Sequence, residues 1–92
     1  MSVKPVITLV QAPACHYCDD AAMALTDLGA RFQFVVRTVE RDSDEGQRLI
    51  LRHRPPMAPL ALVDGEFFSS GRLPRRRLEK LLQSSSCSAR TA

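Results

Sequence analysis

The chain alternates between two hydrophobic periods, and each switch marks a boundary between elements. From Pro5 to Val10, apolar and β-branched residues follow one another almost without polar relief (Val6, Ile7, Leu9, Val10), the pattern of a strand covered on both faces. Ala12-Pro13-Ala14 is a turn signal. From Cys15 to about Gly29 the spacing becomes helical: Cys18, Ala21, Ala22, Leu25 and Leu28 share a stripe, and Asp19, Asp20 and Asp27 lie off it or near the helix start. Gly29 is placed to cap that helix.

Alternation returns over Phe32 to Val39, with Phe32, Phe34 and Val36 on one side. Asp42, followed three residues later by Glu45, predicts a capping box for a second helix carrying Leu49, Ile50 and Leu51. His53 falls at its end, where a cation suits the helix dipole, and Pro55-Pro56 forces it to stop. Leu60 to Val63 reads as a short strand, Asp64-Gly65 as a hairpin turn, and Glu66-Phe67-Phe68 as the returning strand. Pro74 suits the first turn of a last helix with Leu78, Leu81 and Leu82 at helical spacing. The order β-α-β-α-β-β-α predicts an α/β fold, a four-stranded mixed sheet flanked by helices.

Length and composition narrow this picture without changing it. A chain of 92 residues supports one domain, here residues 1–83, and the polar stretch 84–92 is expected to form a disordered Ser-rich tail. Apolar residues at 45% and charged residues at 25% are ordinary globular values. No apolar run approaches the roughly 20 residues that cross a bilayer, and no signal-peptide pattern precedes Pro13, so the expected location is cytoplasmic, with no membrane partner. The net charge is +3, and 11 of the 13 basic residues are arginine, without the aromatic interleaving of a nucleic-acid surface. A monomer that binds no nucleic acid is expected.

Three cysteines is an odd number, which argues against a secreted disulfide framework and for a reactive pair. Cys15 and Cys18 stand three apart at a helix start, where Cβ atoms on one side lie about 5 to 6 Å apart. A small adjustment brings them to the separation that a disulfide needs. Cys15, at or near the N-cap, faces free backbone N–H groups and the positive end of the dipole, which favour a thiolate. Cys18 lies inside the helix. Cys15 is therefore expected to attack a substrate disulfide and Cys18 to resolve the mixed disulfide. His16 either adds a positive charge beside the thiolate or is a solvated turn residue, and Tyr17 either shapes the surface around the pair or is a plain exposed aromatic. No metal is expected. Zinc needs two further ligands, and only His53 and the tail residue Cys87 remain.

With Cys15-His16-Tyr17-Cys18, the apolar-Pro59-apolar segment, Asp64-Gly65-Glu66 and Gly71-Arg72-Leu73 in this order, residues 5 to 83 resemble the thioredoxin superfamily. Within it, the chain is most similar to the small bacterial glutaredoxin-like family with a Cys-His-x-Cys motif. The resemblance implies a glutaredoxin-like, thioredoxin-like fold and a dithiol-disulfide oxidoreductase with no bound cofactor. It implies a cis Pro59 beside the cysteines and an Ala58 backbone that bonds a bound thiol peptide, with Gly71 and Arg72 at the same site. The implied partners are a disulfide-containing protein or small thiol as substrate, and glutathione or thioredoxin reductase as electron donor. Typical glutaredoxins have Cys-Pro-Tyr-Cys and Gly-Gly-x-Asp where this chain has Cys15-His16-Tyr17-Cys18 and Ser69-Ser70-Gly71-Arg72. Ser70-Gly71-Arg72-Leu73-Pro74 is loosely similar to a segment of redoxins served by thioredoxin reductase. Both donors stay open.

Arg72, Arg75, Arg76, Arg77 and Lys80 gather where a helix dipole disfavours cations, so this face either receives an anionic partner or is the solvated side of the helix. The alternative function is a binding module. It would hold a metal or iron-sulfur cluster on the pair, or dock a protein through the Arg72–Arg77 face, without turnover.

Overall fold

The computed structural model describes residues 4–91, with side chains through residue 84. Its elements are β1 (Val6–Gln11), α1 (His16–Gly29), β2 (Val35–Glu40), α2 (Asp44–His53), β3 (Leu60–Val63), β4 (Glu66–Ser70) and α3 (Arg75–Thr91). The sheet has the order β2-β1-β3-β4, with β1 parallel to β2 and antiparallel to β3, and β3 antiparallel to β4. The expected four-stranded mixed α/β sheet is present. No helix among the described residues is long and apolar enough to cross a membrane.

β1 is central, which is why its sequence has no polar face: Ile7 and Leu9 join one core while Val10 joins the other. The first core packs Ala21, Ala24, Leu25 and Leu28 of α1 and Leu78 and Leu82 of α3 against Ile7, Leu9, Ala61 and Phe68. The second, smaller core sets Leu49 and Ile50 of α2 over Val10, Val39, Leu60 and Leu62. Helices thus cover both sheet faces.

Several expected boundaries move for identifiable reasons. β2 begins at Val35, the partner of Val6, so Phe32 and Phe34 precede it and pack half-buried against the first core. As an edge strand, β2 buries only Val39. In α1 the buried alanines are Ala21, as expected, and Ala24, while Ala22 is exposed. Gly29 remains inside the helix, which ends at Ala30 in ordinary right-handed backbone, with the Ala30 N–H bonded to the carbonyls of Asp27 and Leu28. The cap of α2 is Ser43 and not Asp42: its Oγ accepts the Gly46 N–H at 3.0 Å. Pro74 caps α3 from outside, its carbonyl accepting the Leu78 N–H at 3.1 Å. β4 continues through Ser69 and Ser70, with an irregularity in its pairing near Ala61 and Leu62. α3 extends to Thr91, whereas the sequence reading expects an unordered tail from Ser84. The Cys87 side chain lies outside the described residues.

The hairpin turn follows the sequence closely. Asp64 and Gly65 both have positive φ, 51° and 86°, as a two-residue turn between twisted strands demands. Asp64 also fastens the hairpin to β1: its Oδ1 accepts the Val6 N–H at 2.9 Å, and its own N–H donates to the Val6 carbonyl at 2.8 Å.

Candidate active site

β1 delivers the chain to the end of the sheet, and Ala14, in left-handed backbone with φ 51°, turns it into α1. This turn makes Cys15 the N-cap, with extended φ and ψ of −114° and 113°. Its Sγ accepts the backbone N–H of Cys18 at 3.1 Å, the contact that an oxygen makes in an ordinary cap, and its carbonyl accepts the Asp19 N–H. Sulfur has replaced oxygen as the acceptor for an otherwise orphaned helix donor. Both cysteines are free thiols, Cys15 half-buried and Cys18 buried.

Cys18 lies one turn along, on the inner stripe of α1, and its Sγ accepts the Ala12 N–H at 3.5 Å. Burial pushes its thiol up to about 11. The contact with Cys15 and the negative charges of Cys15 and Asp19 add to the rise, and the Ala12 N–H opposes it. The two sulfurs are thus differentiated by position, one at an open helix tip and one held protonated beneath it. An unfolded chain would ionise this thiol near 9.0 and the folded chain near 11, so between those values only the unfolded state gives up the proton. The reduced protein should therefore keep full stability below about pH 9 and lose on the order of 2 kcal/mol as pH rises to 11. Urea unfolding of wild type and Cys18→Ala at both ends of this window checks it, since the difference between the two proteins isolates this group.

The remaining site residues fall into two groups. Ala58-Pro59 is a cis peptide immediately before β3, with Pro59 buried and Ala58 partly so. Gly71 is buried with φ 77°, and its N–H donates to the Pro59 carbonyl at 3.0 Å, tying the exit of β4 to the entry of β3. A Cβ on Gly71 would sit 2.9 Å from Cγ and Sδ of Met57, so Met57 lies directly over it. Nothing in the sequence signals this contact. Tyr17 is 43% exposed, and His16 and Arg72 are also on the surface, with no hydrogen bond to either cysteine among the described residues.

The arginine cluster divides. Arg75 turns inward to α1, its guanidinium 3.1 Å from Asp20 Oδ1 and 3.6 Å from Asp27 Oδ2. Arg77 stacks over the Phe68 ring, 5.1 Å from its centroid. Asp20 and Asp27 of α1 thus pair with Arg75 of α3, and among the described residues the cations of this run without an ion pair or ring contact are Arg72, Arg76 and Lys80. Among the described residues no group of three or more His, Cys, Asp or Glu side chains could hold a metal ion.

No protein family matches the chain, and no curated protein does. Solved structures do. The chain is similar to an uncharacterised thioredoxin-like protein from Clostridium perfringens, with TM-score 0.71 and 15% identity, covering 91% of this chain and 72% of that one. It is also similar to a thioredoxin from Thermus thermophilus, with TM-score 0.60 and 28% identity, covering 94% of this chain and 76% of that one. The fold is thioredoxin-like, a scaffold of thiol-disulfide oxidoreductases, and its helix tip carries a dithiol.

Proposed function

We propose that the protein is a glutaredoxin-like thiol-disulfide oxidoreductase that reduces disulfides through a mixed disulfide on Cys15. The carrying observation is the asymmetric pair: Cys15 Sγ at the N-cap, accepting the Cys18 N–H at 3.1 Å, with the buried Cys18 thiol one turn behind. The Cys15 thiolate attacks one sulfur of the substrate disulfide, forms a new S–S bond to it and expels the other sulfur as a thiolate. Cys18 then gives up its proton and displaces the captured sulfur, closing the Cys15–Cys18 disulfide. Two electrons and two protons reach the substrate as two thiols, and the protein is left oxidised. Two glutathione molecules, or thioredoxin reductase, return it to the dithiol.

Each of the two groups of side chains has a place in this scheme. The raised pKa of Cys18 keeps the resolving sulfur from competing as nucleophile until the mixed disulfide has formed. Pro59 and the backbone of Ala58, just before β3, offer an edge on which a substrate chain bonds as a strand, with Gly71 and Arg72 at the neighbouring exit of β4. His16 and Tyr17 form the exposed rim of the dithiol and modulate access.

A coupled assay on bis(2-hydroxyethyl) disulfide, run in parallel with glutathione plus its reductase and with thioredoxin reductase, tests the reading. Steady NADPH consumption in one arm is expected. Absence of turnover in both arms, with thiols that resist oxidants and stoichiometric metal in anaerobically purified protein, would establish the metal-binding alternative instead.

A further inference from the structure

β1 leaves one donor over at its end. Its last residue in the sheet is Gln11, opposite Glu40, and the next backbone N–H, that of Ala12, donates to Cys18 Sγ at 3.5 Å. Three residues, Ala12, Pro13 and Ala14, separate the strand from the Cys15 N-cap, and they reverse the chain so that the first turn of α1 comes back over Ala12. The reversal is built from Pro13, whose ring holds φ at about −65°, and Ala14 at φ 51°. That succession belongs to a type II turn, whose second central position ordinarily takes glycine because a Cβ resists positive φ. An alanine there is strained, and it persists where the surrounding structure over-determines it. The two sulfurs therefore have separate backbone donors: Cys15 Sγ has that of Cys18, and Cys18 Sγ has that of Ala12.

Resting on the oxidoreductase reading, we infer that the Ala12 N–H is a catalytic group of the second step: it meets the charge that forms on Cys18 Sγ while the mixed disulfide is resolved. Ala14 is the positioning residue that aims it. In that step the Cys18 thiol releases its proton to solvent, and its sulfur attacks Cys15 Sγ. The Cys15–Cys18 bond forms and the bond from Cys15 to the captured sulfur breaks. The electron pair leaves with that sulfur as a thiolate, which takes a proton from solvent in turn. Negative charge thus appears on a buried sulfur before the new bond is made, and burial and the charge of Asp19 both resist it. The Cys15 charge, a third source of resistance, vanishes on capture, because that sulfur has become part of a disulfide. Among the described residues, the group that acts in the favourable direction is the Ala12 N–H, already within hydrogen-bonding distance and fixed by the turn. A donor placed in advance where charge develops lowers a barrier without reorganising at the moment of reaction. The Cys18 N–H does not serve this purpose, since it donates to Cys15 Sγ.

The test uses dithiobis(nitrobenzoic acid), which releases one coloured thiolate when Cys15 captures half of it and a second when Cys18 resolves the complex. Every protein carries Cys87→Ser, so that the third thiol adds no signal. Stopped-flow absorbance at equimolar reagent separates the two phases, and Cys18→Ser, which should show the first alone, assigns them. Lactic acid placed at position 12 by nonsense suppression turns the Ala12 amide into an ester and removes the N–H with no change of side chain. The first phase should keep its rate, and the second should slow about tenfold or more at neutral pH. The pH at which the second phase is half-maximal should also move upward, an effect that a merely structural role would not produce. Ala14→Val, whose branched side chain disfavours positive φ, should slow the second phase in the same way, and Ala14→Gly should restore it. A second phase as fast in the ester protein as in its amide counterpart overturns the inference and leaves the oxidoreductase reading standing. Equal slowing of both phases also overturns it, since a loosened helix tip accounts for both. Release of a single thiolate by the protein with both Cys15 and Cys18 removes the resolving step, and the oxidoreductase reading falls with it.

Discussion

Cys15→Ser should bring disulfide reduction down to the uncatalysed rate, a loss on the order of a thousandfold or more, while Cys18→Ser should accumulate a stable mixed disulfide on Cys15. The two outcomes differ because the two sulfurs occupy different places. Cys15 Sγ is the half-buried acceptor of the helix-tip N–H, with an open side from which a substrate sulfur can approach. A serine there would keep the hydrogen bond and the cap, so folding is preserved and the loss is one of nucleophilicity. At Cys18 the reverse holds. The thiol is buried and its pKa is raised, so it takes no part in capture and acts only once a disulfide sulfur has been delivered beside it. Serine cannot displace that sulfur, and the covalent complex persists until an external thiol cleaves it. Mass spectrometry of each variant after incubation with a peptide disulfide reads both results. A mixed disulfide found on Cys18 in the Cys15→Ser protein would reverse the assignment.

Gly46→Ala should be the most destabilising conservative change in the chain, costing about 3 kcal/mol or more and lowering the melting temperature by on the order of 15 °C. Gly46 lies buried in the first turn of α2, where that helix passes over the end of β2. A Cβ there would lie 2.1 Å from the Glu40 carbonyl oxygen and 3.0 Å from that of Arg41. These are backbone atoms and cannot rotate aside. Accommodating the methyl group requires α2 to lift away, which separates Leu49 and Ile50 from Val10, Leu60 and Leu62. Ser43→Ala, which removes the N-cap contact to Gly46 and the hydroxyl's bond to the Glu40 carbonyl, should cost about 1 kcal/mol and provides the scale. Thermal unfolding of the two variants beside wild type checks the ranking, and a Gly46→Ala protein as stable as Ser43→Ala would refute the close approach.

The sequence alone carried most of what depends on local period and local backbone chemistry, although the caps of α1 and α2 fell at Ala30 and Ser43 and not at Gly29 and Asp42. The unbroken apolar run of β1, the helical stripe that begins at Cys18, and the positive-φ turn at Asp64-Gly65 are legible because each is dictated by residues within a few positions of one another. The spacing of Cys15 and Cys18 belongs to the same category, since the helix rise places them on one side before any tertiary contact forms. Phe32 and Phe34 showed the limit. Their alternation suggested strand, yet β2 starts only where β1 supplies partners, so pairing and not propensity set the boundary.

Tertiary structure decided what depends on residues far apart in the chain. Met57 over Gly71, Gly46 against the Glu40 carbonyl, Arg75 between Asp20 and Asp27, and a hollow walled by Ile50 and Pro55 join segments whose proximity follows from the sheet order and the crossing of the helices. A charge run such as Arg72–Arg77 reads as one surface in sequence, and only packing shows that Arg75 and Arg77 are already engaged. Burial, likewise, is a property of the assembled core. It is the largest cause of the raised Cys18 pKa, and it sets two chemically identical side chains in two different environments.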